Sequence, residues 1–179
     1  MMALIASVAA IKIFGNERVV FKRESDSGIS ICGYFIAKLL FQLTQIAILP
    51  FIFSVVVYAQ IAVDMPFLHF LGVFMGIAWV NSSFGMLFSI TFSRNTALLV
   101  SVIIPTTFGG FLNGAFPALN TLNGFARSLA TISFARWSTE ALTILEAQSL
   151  PSYKQEDVDS QMFDQGFSKD NLMVDISVM

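Results

Sequence analysis

Charge is scarce in this chain and unevenly spread. Ten Lys and Arg and twelve Asp and Glu make up 12% of the 179 residues, where a soluble domain usually carries about 25%. The single cysteine, Cys32, excludes a disulfide within the chain and a cysteine-based zinc site. The single histidine, His69, leaves nothing to assemble a histidine-centred catalytic group, and no metal site is expected. The sequence has no G-x-x-x-x-G-K-[ST] phosphate loop and no G-x-S-x-G elbow. No catalytic constellation or ATP-binding residue is visible. A dense basic patch is also missing, so nucleic acid is not an expected partner.

Apolar sequence fills the space that charge leaves. Hydrophobic residues make up 55%, and the mean hydropathy is +0.73. Leu39 to Val63, Phe70 to Ser93 and Asn95 to Ala126 contain no charged residue in 25, 24 and 32 positions. About 20 such residues suffice for a helix to cross the hydrocarbon core. The runs do not alternate, which argues against a β-barrel. The expected fold is therefore all-α, a polytopic transmembrane helical bundle.

Six stretches follow from this pattern. Residues 1–14 are apolar but short, and read as the end of a truncated transmembrane helix. Residues 15–36 form a charged, amphipathic connector. Residues 37–117 hold three spans: Ala37 to Tyr58 with Pro50 inside it, Leu68 to Ile90, and Thr96 to Phe116 with Pro105, Gly109 and Gly110. Residues 118–150 are moderately apolar and carry Arg127, Arg136, Glu140 and Glu146, as interfacial or re-entrant helices would. Residues 151–171 are polar and acidic and read as an extracellular loop. Residues 172–179 read as the start of a truncated last transmembrane helix. Lys and Arg set the orientation. Lys12, Arg18, Lys22, Arg23 and Lys38 surround the connector, the loop around Asp64 has none, and Arg94 lies in the next turn. That order puts the connector and the Arg94 turn in the cytoplasm.

Polar groups within the spans are few: Gln42 and Gln45 on one helical face, then Asn81, Ser82 and Ser83, then Thr106, Thr107 and Asn113. Such groups bond between helices or line a pathway. No Asp, Glu, Lys or Arg lies deep in the spans. A proton- or ion-coupled carrier usually keeps one there, so any driving energy has to come from elsewhere. Gly72-x-x-x-Gly76 and Gly110-x-x-x-Gly114 have the spacing that lets helix backbones approach closely. In the connector, Glu17 shares a helical face with Phe21, and Val20 shares one with Arg23 and Glu24. Charges flanking an apolar contact suit docking against a soluble domain.

These residues resemble a known family. Glu17-Arg18-x-x-Phe21-x-Arg23-Glu24, with Gly28 four residues on and Tyr34-Phe35-x-Ala-Lys38 beyond, is similar to the first intracellular loop of ABC transporters of the G family, the white and pleiotropic-drug-resistance type. Residues 23–30 are closest to the plant-like half-transporter branch. Leu49-Pro50, Asn81-Ser82-Ser83 and Gly114 fit the spans that follow, and Phe134-Ala135-Arg136-Trp137 with Glu140-Ala141 fits the re-entrant segment.

The resemblance implies a partial ABC-2 type exporter membrane domain. Glu17, Arg18, Phe21, Arg23 and Glu24 would couple to a nucleotide-binding domain. Thr106, Thr107, Asn113, Ala115 and Phe116 would lie along the substrate pathway or its plug, and Arg136, Trp137 and Glu140 in the re-entrant segment. ATP and Mg would be held by the nucleotide-binding domain, in the same polypeptide or a partner, and not by this chain. A second transmembrane half would complete a homo- or heterodimer among membrane lipids. The complete transporter would hydrolyse ATP to move lipidic or amphipathic substrates across the plasma membrane or an internal membrane of a eukaryotic cell. The competing expectation is a non-transporting scaffold or truncated paralogue that assembles with other subunits.

Overall fold

A computed structural model describes residues 1–15, 23, 26–28, 30–61, 64–115, 118–150 and 160–167. Among the described residues the structure is helical and contains no strand. The principal helices are α1 (Met2–Gly15), α2 (Ile31–Gln60), α3 (Phe67–Thr91), α4 (Arg94–Thr106), α5 (Gly124–Ile132) and α6 (Phe134–Ser149). The all-helical expectation holds.

The second helix is longer than the sequence pattern suggested. It starts at Ile31, inside the stretch read as connector, because Ser30 caps it: the Gly33 N–H donates to Ser30 Oγ at 3.2 Å. Its 30 residues rise about 45 Å at 1.5 Å each. Pro50 is accommodated inside the helix and is buried. The third helix, 25 residues, agrees with its expected bounds to within one residue. Both are long and apolar enough to cross a membrane.

The third expected span differs. Its α-helical part stops at Thr106, and Thr107–Phe111 continues as a single π-helical turn. Pro105 offers no N–H to the preceding turn, and Gly109 and Gly110 hold helical geometry weakly. The chain then leaves the helix through Gly114, whose φ of 81° favours glycine.

Burial in α2 is inverted relative to a soluble protein. Its buried residues are Gln42, Pro50 and Ser54. Phe51 and Ile52 face outward, 50% and 55% exposed, along with Leu40, Phe41, Ile48 and Val56. Water would penalise such a surface heavily, whereas hydrocarbon does not. With hydrophobic side chains outside and polar ones inside, α2 is built as a membrane helix.

The first helix lies along α3 and touches α4. Ala6, Ser7 and Ala10 present a small-residue face to α3. A Cβ built on Gly85 would overlap the Ser7 carbonyl oxygen and lie 2.8 Å from Ala10 Cβ. The backbones therefore approach closely here, and Ser89 Oγ donates to the Ile11 carbonyl at 2.9 Å across the same seam. Three of the glycines singled out from spacing lie elsewhere. Gly72 and Gly110 have open space where a Cβ would sit, and Gly114 is a turn residue. A four-residue interval marks a helical face but does not say which face meets a neighbour.

Candidate functional site

Helices α5 and α6, joined at Ser133, form a cap in which α6 packs against α3 and the π turn. Its core joins Leu112, Leu119, Ala130, Ile144, Ala147, Met162 and Phe167. The segment 160–167 reaches that core through a tight helix end. The Phe167 N–H donates to the Met162 carbonyl at 2.9 Å and the Gly166 N–H to the Phe163 carbonyl at 3.1 Å. With Gly166 at φ 81°, this is a Schellman closure. Asn120 Nδ2 donates to the Phe163 and Asp164 carbonyls, both at 3.2 Å, which fixes the segment on the 118–121 turn. Part of the stretch expected as an extracellular loop is thus packed against the cap.

Ser133 sits between α5 and α6 with no exposed surface, and its Oγ reaches the Phe108 carbonyl of the π turn at 3.4 Å. The turn after it is tied by two side chains. Trp137 Nε1 donates to the Thr131 carbonyl at 2.8 Å, and Arg136 Nη1 reaches Thr131 Oγ1 at 3.4 Å. The Arg136 guanidinium lies 4.4 Å from the Trp137 ring centroid, a cation–π contact. Its Nη2 is 3.8 Å from Glu140 Oε2, and the Glu140 side chain has no exposed surface. The three residues expected in the re-entrant segment therefore form one cluster, with a carboxylate buried beside its guanidinium.

A second acidic residue of α6 ties the cap to the α2–α3 connection. Glu146 Oε1 accepts from the Asp64 N–H at 3.1 Å. Next to it Met65 is buried, and Tyr58 Oη donates to the Met65 carbonyl at 2.9 Å. The loop and α6 are held together at this point. His69 and Asp64 themselves are exposed.

The remaining expected site residues are more scattered. Of the coupling residues, Arg23 is exposed, while Glu17, Arg18, Phe21 and Glu24 lie outside the described residues. Thr106 and Thr107 are exposed, with Thr106 Oγ1 turned back to the Val102 carbonyl at 2.7 Å. Asn113 braces the exit from the π turn. Its Nδ2 donates to the Gly109 carbonyl at 3.1 Å, and its Oδ1 accepts from the Ala115 N–H at 3.0 Å. Ala115 is half-buried, and Phe116 lies outside the described residues. Gln42 and Asn81 are buried, as expected of polar groups in a bundle; Asn81 Nδ2 bonds its own helix at Ile77. Sequence reasoning missed Ser7, Ser89 and Ser133, three serines with almost no exposed surface. The interval Ala6-Ser7-x-x-Ala10 in a short apolar helix carried that signal for the first of them.

Apolar helices of membrane length with polar groups turned inward, and short helices beside them, describe a membrane-embedded helical domain. The sequence profile described as ABC-2 type transporter matches residues 1–158, and the chain belongs to that family. It is 33% identical over 147 residues to Protein white of Drosophila melanogaster, covering 76% of this chain and 20% of that protein. Protein white of Ceratitis capitata gives 33% over 149 residues, with 77% and 21% covered. ABC transporter G family member 25 of Oryza sativa subsp. japonica gives 27% over 146 residues, with 82% and 14% covered. The chain thus spans about a fifth or less of the length of these relatives. No solved structure gives a significant match.

Proposed function

We propose that this chain is the membrane-spanning part of a G-family ATP-driven exporter for lipidic or amphipathic substrates. The observation that carries the reading is the family match, which runs unbroken from α1 through the connector and beyond α6. A nucleotide-binding domain, in the same polypeptide or a partner, holds ATP and Mg. A second membrane half completes the pathway. ATP binding pulls on the connector at Glu17, Arg18, Phe21, Arg23 and Glu24. The pull passes into α1 and α2 on either side of the connector. Through the tight α1–α3 seam it moves the bundle against the outer cap, and Thr106, Thr107, Asn113, Ala115 and Phe116 line the route that opens. The apolar character of the bundle favours apolar cargo, because burying an unpaired charge there is costly.

Coupling is tested by replacing Arg23 or Glu24 with Ala in the complete transporter and measuring ATP hydrolysis in membranes. Loss of substrate-stimulated hydrolysis with normal membrane insertion is expected. Unchanged stimulation would favour a scaffold that assembles with other subunits.

Orientation has its own test in Cys32, which is exposed at the start of α2. With the other cysteines of the protein replaced, a membrane-impermeant maleimide should leave Cys32 unlabelled in intact cells and label it after permeabilisation. A cysteine at position 64, in a Cys32→Ser background, should be labelled in intact cells. The opposite pattern would reverse the proposed topology.

A further inference from the structure

Three side-chain oxygens on α1, α3 and α4 have no hydrogen-bond partner among the described residues: Ser7 Oγ, Asn81 Oδ1 and Ser101 Oγ. None of the three residues has exposed surface. We propose that they hold a resident water molecule where the three helices pack together. The site requires the fold of the bundle and not ATP-driven export, so it stands or falls independently of that reading.

The register of the helices puts the three residues at one level. Helix α1 runs parallel to α3: Ala6 shares a cluster with Ala78, Ala10 with Met86, and Ile11 with Phe88. Helix α4 runs back along both after the turn at Phe92 and Ser93, and Ala97 joins Ile11 and Phe88. One turn from that contact, back along α1 and onward along α4, stand Ser7 and Ser101. The Ser7 carbonyl lies against Gly85. Asn81 is one turn, about 5.4 Å, before Gly85, and Asn81, Gly85 and Phe88 share one strip of α3. Side chains lean toward the N-terminus of their own helix, which tips Ser7 from Gly85 toward Asn81.

The chemistry of the set selects the occupant. Ser89, farther along the same seam, donates directly to the Ile11 carbonyl at 2.9 Å. Asn81 instead gives its Nδ2 to the Ile77 carbonyl at 2.7 Å, and its Oδ1 can only accept. Pro105, buried one turn beyond Ser101, has no N–H to offer the Ser101 carbonyl. An acceptor and two hydroxyls, each able to give or take a proton, match a water, and buried waters typically make about three hydrogen bonds. A metal cation fits worse. Helices α1, α3 and α4 contain no Asp or Glu, and an unbalanced charge at membrane depth is costly.

The shielding of these oxygens comes from the described helices themselves, so the site does not depend on what lies against the outside of the bundle. A water here would satisfy three buried groups at once. It would also tie α4 to the α1–α3 pair just before Pro105, where the α-helix gives way to the π turn.

The test uses the complete protein in nanodiscs. A cryo-EM map that resolves ordered water should show a peak within hydrogen-bond distance of Asn81 Oδ1 and of the Ser7 or Ser101 hydroxyl. No peak among clearly resolved side chains, or one at the shorter contacts of a metal ion, would overturn the proposal. X-ray radiolysis, which makes hydroxyl radicals from bound as well as bulk water, gives a second reading. Oxidation of Ile11 and Pro105, buried on either side of the site, should exceed several-fold that of Ile144, buried in the apolar core of the cap. Equal oxidation would also overturn the proposal. Asn81→Leu removes the acceptor and should bring Ile11 and Pro105 down to the level of Ile144; unchanged oxidation in the folded variant would count against the site. The map and the oxidation of the unaltered protein decide the matter even where this variant fails to fold.

Discussion

Replacing Arg136 with Ala should destabilise the membrane domain by about 3–5 kcal/mol, the usual consequence of removing one partner from a buried ion pair. Glu140 has no exposed surface, and the Arg136 guanidinium stands 3.8 Å from it while lying over the Trp137 ring. Without that cation the carboxylate keeps its desolvation and loses the guanidinium beside it. Thr131 loses its contact with Nη1 in the same step, so the turn between α5 and α6 loosens as well. Total stabilities of about 5–15 kcal/mol are typical, and a loss of this size should be visible as a large fall in the midpoint of thermal unfolding in nanodiscs. Arg136→Lys should fall between, because an ammonium keeps the charge but not the planar fork that stacks on Trp137. The double change Arg136→Met with Glu140→Leu should recover much of the loss, since apolar residues can replace a buried pair at little cost. Arg127→Ala, at an exposed position of α5, should stay within about 0.5 kcal/mol. An unaltered midpoint for Arg136→Ala would mean that Glu140 does not depend on this guanidinium.

Gly85→Ala should cost about 3 kcal/mol, at the upper end of what overpacking usually does. The added Cβ would meet the Ser7 carbonyl oxygen, a backbone atom that no rotamer change can move, and Ala10 Cβ at 2.8 Å. To make room α1 must slide off α3, which also breaks the Ser89–Ile11 hydrogen bond. Gly72→Ala provides the contrast. It lies on the same helix with open space around the new methyl group, and alanine suits a helix better than glycine by up to about 1 kcal/mol. Fluorescence-detected thermal unfolding of the two variants should separate them clearly. Equal behaviour would show that α1 and α3 can part at this point without loss.

The contrast between Gly85 and Gly72 shows where sequence reading works and where it stops. Charge-free length was enough to place α3 to within one residue, because desolvation acts on every residue of a span alike. The start of α2 was read six residues late. Cys32, Gly33, Tyr34 and Lys38 look like connector, but Ser30 supplies the cap that starts the helix among them. The π turn at Thr107–Phe111 follows from Pro105 and two glycines, yet those residues also fit a kinked α-helix. Arg136, Trp137 and Glu140 were legible together through the resemblance of Phe134-Ala135-Arg136-Trp137 and Glu140-Ala141 to a re-entrant segment, and the four-residue interval puts Arg136 and Glu140 on one helical face. The Glu146–Asp64 contact joins residues 82 positions apart, a distance at which no local pattern gives a signal.

The most direct test of the account is ATP-dependent movement of a fluorescent phospholipid in proteoliposomes containing the complete transporter. Export from the leaflet that faces the nucleotide-binding domain is expected, lost without Mg-ATP and lost in Glu24→Ala. Movement at the same rate without ATP, or no movement by a folded and correctly oriented protein that hydrolyses ATP, would contradict the assignment of this chain to an ATP-driven exporter of lipidic molecules.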